Sequence, residues 1–190
     1  MLRIIIFASG SGTNAENIIE YFKKGTLAEV SYVVSNNENA GVLERAKRLH
    51  IPSRVFSKKE MTTDFFLKFL AEHADFIVLA GFLLKIPDQM ITLFPNTIVN
   101  IHPALLPKYG GKGMYGMHVH RAVVANKESE TGITIHYVNE QYDEGAIIFQ
   151  KTVALDHSDT PEDVAAKIHV LEQENFPKVI EKLLKTINEG

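Results

Sequence analysis

The chain has 190 residues, 45% of them apolar and 23% charged, with a formal net charge of −3. That length and apolar content can bury a large core in one domain, expected here to span 1–190. The scattered charge offers no basic stripe to nucleic acid, and with no cysteine disulfides, thiolate nucleophiles and zinc-finger chemistry are excluded.

Residues 2–8 form a nearly continuous apolar run that ends in a glycine loop. The run is too short for a signal segment, and no window approaches a membrane span. A cytoplasmic protein is expected. From Asn14 to Lys24 the spacing of Ile18, Ile19 and Phe22 predicts a helix. Val30–Ser35 reads as a second strand, Ala40–Leu49 as a second helix and Arg54–Phe56 as a short third strand. Thr63–His73 is helical, Phe76–Ala80 a fourth strand and Thr97–Ile101 a fifth. The alternation predicts an α/β fold: a Rossmann-like, open, mostly parallel sheet with helices on both faces.

The C-terminal part differs. Gly132–Val138 alternates and Ala146–Leu155 is a further apolar strand, with about seven residues between them, too few for a helical crossover. They are expected to pair antiparallel. Thr160-Pro161-Glu162-Asp163 opens a last helix, from about 161 to 188, which Pro177 should kink or divide. Lys108–Met117 is glycine-rich without periodicity and reads as a mobile loop.

In an open parallel sheet, ligands bind beyond the carboxyl ends of the strands, and three features collect there. Ser9-Gly10-Ser11-Gly12-Thr13-Asn14 joins the first strand to the first helix, where glycines admit close approach and free amides favour phosphate. Gly10-x-Gly12-x-x-Ala15 loosely fits a dinucleotide fingerprint, yet strand two ends Ser35-Asn36-Asn37 without the ribose-binding acid. A phosphate loop is expected rather than a nicotinamide site; the bland alternative is a tight turn packed on its helix.

Asn100 and His102 sit two apart at the end of an apolar strand, and Pro103 keeps the histidine extended, so both side chains share one face. A strand histidine is more often a hydrogen-bonded core residue than a catalyst. Asp143-x-Gly145 is common in hairpin turns, but this turn should fall at the same sheet edge. An imidazole to move a proton and an amide to meet an oxyanion, without a cysteine or an elbow serine, suit direct acyl transfer to an amine. Two alternatives stay open: a metal-dependent hydrolase built on His102, His118, His120 and Asp143, and a non-catalytic module that binds a phosphorylated ligand.

Five segments together, Ser9–Asn14, Val78–Phe82, Asn100–Tyr109, Gly132–Val138 and Asp143-x-Gly145, resemble the folate-dependent phosphoribosylglycinamide formyltransferase family over nearly the whole chain. The resemblance implies formyl transfer from 10-formyltetrahydrofolate to the amine of glycinamide ribonucleotide, without metal, nicotinamide, nucleic acid or membrane; a homodimer stays open. It implies substrate phosphate on Gly12, Thr13 and Asn14, and its glycinamide end near Glu172 and His169. His102 would be the general acid, Asn100 the donor to the formyl oxygen, and Asp143 the residue that raises the histidine pKa. Folate would lie along Leu83, Leu84, Lys85 and Ile86, the loop Asn139, Glu140, Gln141, Tyr142 and Asp143, and Asn100, with Lys58 or Lys59 approaching it. His118 and His136 match histidines near the family's site. The loop from Gly110 to Met117 is longer here than the family's common version.

Overall fold

The computed structural model describes residues 1–189. The first half alternates strand and helix: β1 (Leu2–Phe7), α1 (Thr13–Phe22), β2 (Ala28–Ser35), α2 (Gly41–Arg48), β3 (Ser53–Val55), α3 (Asp64–His73), β4 (Phe76–Leu79), α4 (Asp88–Leu93) and β5 (Ile98–His102). Then come α5 (Met117–Ala125), β6 (Glu130–Tyr137), β7 (Ile147–Ala154) and α6 (Pro161–Glu189). One sheet runs in the order β3-β2-β1-β4-β5-β6-β7. The five strands from β1 to β5 are mutually parallel, whereas β6 pairs antiparallel with both β5 and β7.

The sheet is covered on both faces, which explains the unbroken apolar run of β1. Ile4 and Ile6 enter one core with Ile18, Val42, Ile168 and Phe176, while Ile5 and Phe7 enter another with Phe66, Leu70 and Met90. Alternate residues of a strand face opposite sides, so a strand buried twice must be apolar throughout. The chain leaves β1 towards β2 and returns to β4 on β1's other side. That reversal opens a crevice at the carboxyl ends of β1 and β4, the usual ligand position in such sheets.

Three local expectations change. Two helices, α4 and α5, stand where none was read. The first has six residues and buries only Met90, too little for a periodic signal. The second buries Val119, His120 and Val123, so a histidine interrupts its apolar stripe. Pro177 does not divide the last helix, which runs through 29 residues. A proline lacks the N–H that the carbonyl four residues earlier expects. Here that carbonyl belongs to Gln173, and it accepts the side-chain amide of Asn17 at 2.9 Å instead.

Candidate active site

The loop after β1 is fixed from three directions. Ser9 Oγ donates to Asn36 Oδ1 at 2.6 Å and accepts the Leu83 N–H at 2.9 Å. Arg45 Nε donates to the Ser11 carbonyl at 2.8 Å, and the Val42 N–H to that of Gly10 at 3.0 Å. Asn36, at the place where a dinucleotide site would carry an acid, therefore braces the loop. Gly12 has φ +80°, and a Cβ there would lie 2.5 Å from Val42 Cβ, so this position requires glycine. No side chain caps the start of α1, which leaves its first N–H groups and its dipole open to an anion.

Opposite that helix start stands α6. Asn14 Nδ2 donates to Glu172 Oε2 at 3.0 Å, and Gln173 Nε2 donates to Asn14 Oδ1 at 3.0 Å. Burial pushes the Glu172 carboxyl up to about 7, against the opposing hydrogen bond from Asn14. No cation pairs with it among the described residues.

The other end of the cavity is built where β5 meets β6. Their register places Asn100 opposite His136 and His102 opposite Thr134, so all four side chains lie on one face. Thr134 Oγ1 donates to the Ala104 carbonyl at 2.7 Å and accepts the Leu106 N–H at 3.0 Å, which fixes the turn after His102. His102 is 3% exposed. Its Nε2 lies 2.7 Å from the Tyr109 carbonyl, to which it must donate, and its Nδ1 lies 3.5 Å from Asp143 Oδ2. Asp143 also accepts the Gly111 N–H at 2.9 Å and faces His136 Nε2 at 3.6 Å.

Charge at this end is finely opposed. Burial pulls the His102 pKa below its ordinary value; the Asp143 charge and the Tyr109 carbonyl pull it back only in part. The net direction is therefore opposite to the raised histidine that the resemblance implied, although the effect attributed to Asp143 has the expected sign. For Asp143, burial works upward, and the neighbouring imidazoles with the Gly111 N–H outweigh it, so the carboxyl stays ionised.

One cavity of about 750 Å³ joins the two ends. Gly12, Thr13, Asn14, Leu83, Asn100, His102, Tyr142, Asp143, His169 and Glu172 all line it. Lys85 and Ile86 line a second hollow of about 460 Å³ instead, beside Lys58. Leu84, Asn139, Glu140 and Gln141 line neither, and Lys59 does not reach the second. Ala80, Gly81 and Phe82 after β4, quoted above only for the resemblance, also line the cavity, as do Gly111–Gly116 and His120, none of which the sequence marked as cavity wall. The position of β4 beside β1 was the available signal for the first group.

The two histidines of α5 do not act as a pair. His120 is 5% exposed and lines the cavity, while His118 is exposed and packs edge-on against Tyr115. Residues two apart on a helix point to different sides. Among the described residues no three histidine, aspartate or glutamate side chains are grouped as a metal site, and no helix is long and apolar enough to cross a membrane.

Residues 2–180 match the formyl transferase family profile. The chain is 39% identical to the chloroplastic phosphoribosylglycinamide formyltransferase of Vigna unguiculata over 95% of its own length and 60% of that protein's. It is 36% identical to phosphoribosylglycinamide formyltransferase of Bacillus subtilis, covering all of this chain and 98% of the relative. Among solved structures, phosphoribosylglycinamide formyltransferase of Bacillus halodurans superposes with a TM-score of 0.85 at 37% identity, over 96% of this chain and 95% of that one.

Proposed function

The chain belongs to the formyl transferase family, and from that membership we propose that it moves a formyl group from 10-formyltetrahydrofolate to the amine of glycinamide ribonucleotide. Residues 1–190 act as one formyltransferase domain in this reading. The carrying observation is the single cavity with an uncapped helix start and a buried carboxyl at one end, and an amide, imidazole and carboxylate at the other.

The residues divide the work by chemistry. The backbone of Gly12, Thr13 and Asn14 holds the phosphate, and Glu172 with His169 receives the glycinamide end, from which the amine extends across the cavity towards Asn100 and His102. Leu83 and Tyr142 give the folate ring an apolar wall. The amine attacks the formyl carbon and the carbonyl electrons move onto oxygen, where the Asn100 amide and His102 stabilise them. Collapse expels the folate nitrogen, which leaves with a proton equivalent to the one the amine gives up. Asp143 supports the imidazolium form of His102 during that passage. In the free protein His102 Nε2 is held by the Tyr109 carbonyl, so that contact must open before the nitrogen can serve the substrate.

A spectrophotometric assay of formyl-folate consumption tests the reading, with glycinamide ribonucleotide omitted as the control. Turnover that depends on the amine is expected. An unchanged spectrum with both substrates present, or equal consumption without the amine, would overturn it.

A further inference from the structure

Asn100 can stabilise a formyl oxygen only if its NH2 end, rather than its oxygen, faces the substrate. A free asparagine amide has no preference, so something must decide. His136 is 2% exposed, and its Nδ1 lies 2.8 Å from the carbonyl of Tyr137. A carbonyl only accepts, so Nδ1 carries the proton, and in the neutral ring Nε2 is then bare. That bare nitrogen lies 3.1 Å from Asn100 Nδ2. It can only accept there, so it draws the amide's NH2 end towards the boundary between imidazole and cavity.

We propose that His136 is a positioning residue for the formyl transfer: by presenting a bare Nε2 it fixes the orientation of the Asn100 amide, leaving the second N–H free for the formyl oxygen. The flipped amide would set its oxygen against both the imidazole lone pair and the substrate oxygen. The arrangement also accounts for Gly145. A Cβ there would lie 1.7 Å from the Tyr137 carbonyl oxygen, the group that holds the His136 proton on Nδ1. Glycine lets the hairpin close over that carbonyl, so the Asp-x-Gly pattern serves the amide as well as the carboxylate. Asp143 and His102 are the titratable groups facing His136. Asp143 Oδ1 lies 3.6 Å from Nε2, beyond hydrogen-bond reach and farther than the amide at 3.1 Å, so only an imidazolium would turn its Nε2 proton to the carboxylate and release the amide.

The inference rests on the formyl-transfer reading, and two measurements keep their failures apart. The first is nitrogen-15 NMR of the imidazoles in the whole protein, with His136 assigned by its loss in His136→Gln. An Nδ1–H, bare-Nε2 signal is expected; a proton on Nε2 would overturn the inference whether or not the protein transfers formyl. The second is kinetic. His136→Leu, which removes the acceptor, should lower kcat by about 10- to 100-fold with KM for both substrates within a few fold, a fraction of the ~10²–10³ lost with an oxyanion donor itself. His136→Gln, which restores an acceptor near the Nε2 position, should recover most of that loss. In an Asn100→Ala background His136→Leu should cost less than about 3-fold, since residues acting as a unit are non-additive. Equal losses in both backgrounds, or no recovery by glutamine, would make His136 a structural residue only. Absence of turnover in the parent would sink the formyl-transfer reading and leave the NMR result to judge the tautomer.

Discussion

The two ends of the cavity are made of different materials. The end at α1 is backbone: a left-handed glycine, uncapped N–H groups and a loop braced by Ser9, Asn36 and Arg45. The end at β5 and β6 is side chains, with Asn100, His102, His136 and Asp143 packed within hydrogen-bonding or ion-pair reach of one another. Backbone dipoles do not titrate, so the first end holds an anion with little dependence on pH but tolerates no added volume at Gly12. The second depends on single charges, so a change that leaves its shape intact can still disable it.

The sharpest way to break the comparison is to remove charge without volume. Asp143→Asn keeps an acceptor for Gly111 but removes what opposes burial of the His102 imidazolium. His102 should therefore titrate lower still than in the parent, and turnover should fall by ~10²–10⁴-fold, with glycinamide ribonucleotide binding nearly intact. His102→Asn should be similarly slow, and the double variant little worse than either. Histidine NMR titrations and rates for the three variants measure this. An unmoved His102 titration with fully additive losses would mean that the carboxylate and imidazole act separately.

The opposite change, volume without charge, belongs at the first end. Gly12→Val forces a Cβ onto Val42 and a branched residue into positive φ, which should destabilise by about 1–3 kcal/mol from overpacking alone. Affinity for glycinamide ribonucleotide should fall much further than affinity for folate. Gly10→Ala is the control, since nothing lies within 4 Å of its Cβ position, and stability should stay within about 0.5 kcal/mol. Calorimetry with each ligand decides; equal weakening of both would erase the distinction between the two ends.

Glu172 is the exception that sharpens the rule, a titrating side chain at the backbone end. Its carboxyl is raised from 4.5 to about 7, so between those values the folded protein binds more protons than the unfolded chain. Stability should therefore decline as pH rises through that window and level off above it. The full shift corresponds to roughly 3 kcal/mol, which sets the upper bound of the decline. In Glu172→Gln that component should vanish. Denaturant midpoints for parent and variant from pH 5 to 8 test it, and parallel curves would show that burial does not load this carboxyl.

How much of this the sequence carries depends on the range of the interaction. Asn100 and His102 share a face because strand side chains alternate, a rule that acts over three residues. Gly12 is legible for a similar reason, since few other residues suit a tight turn against a helix. The resemblance places His136 near the site, but its contact with Asn100 follows from the register of β5 on β6 across 36 residues, which local pattern does not specify. The Tyr109 carbonyl is harder again. It is a backbone atom placed by the residue's positive φ of 57°, and residue letters do not report where a carbonyl points. Helix α5 escaped because the histidine that makes it useful to the cavity also breaks its apolar stripe.

The bonds between α1 and α6 have a consequence for how the protein is made. Asn14 reaches Glu172 across 158 positions, and Asn17 reaches the Gln173 carbonyl across 156. Synthesis proceeds from the N-terminus and segments fold as they emerge. A nascent chain exposed only through β7 therefore lacks the carboxyl that faces the glycine loop, and the Asn17 amide has no Gln173 carbonyl to meet. The pocket closes only when the helix around Pro177 leaves the ribosome and docks, so a ligand that needs both walls can be captured only by a chain that has come that far.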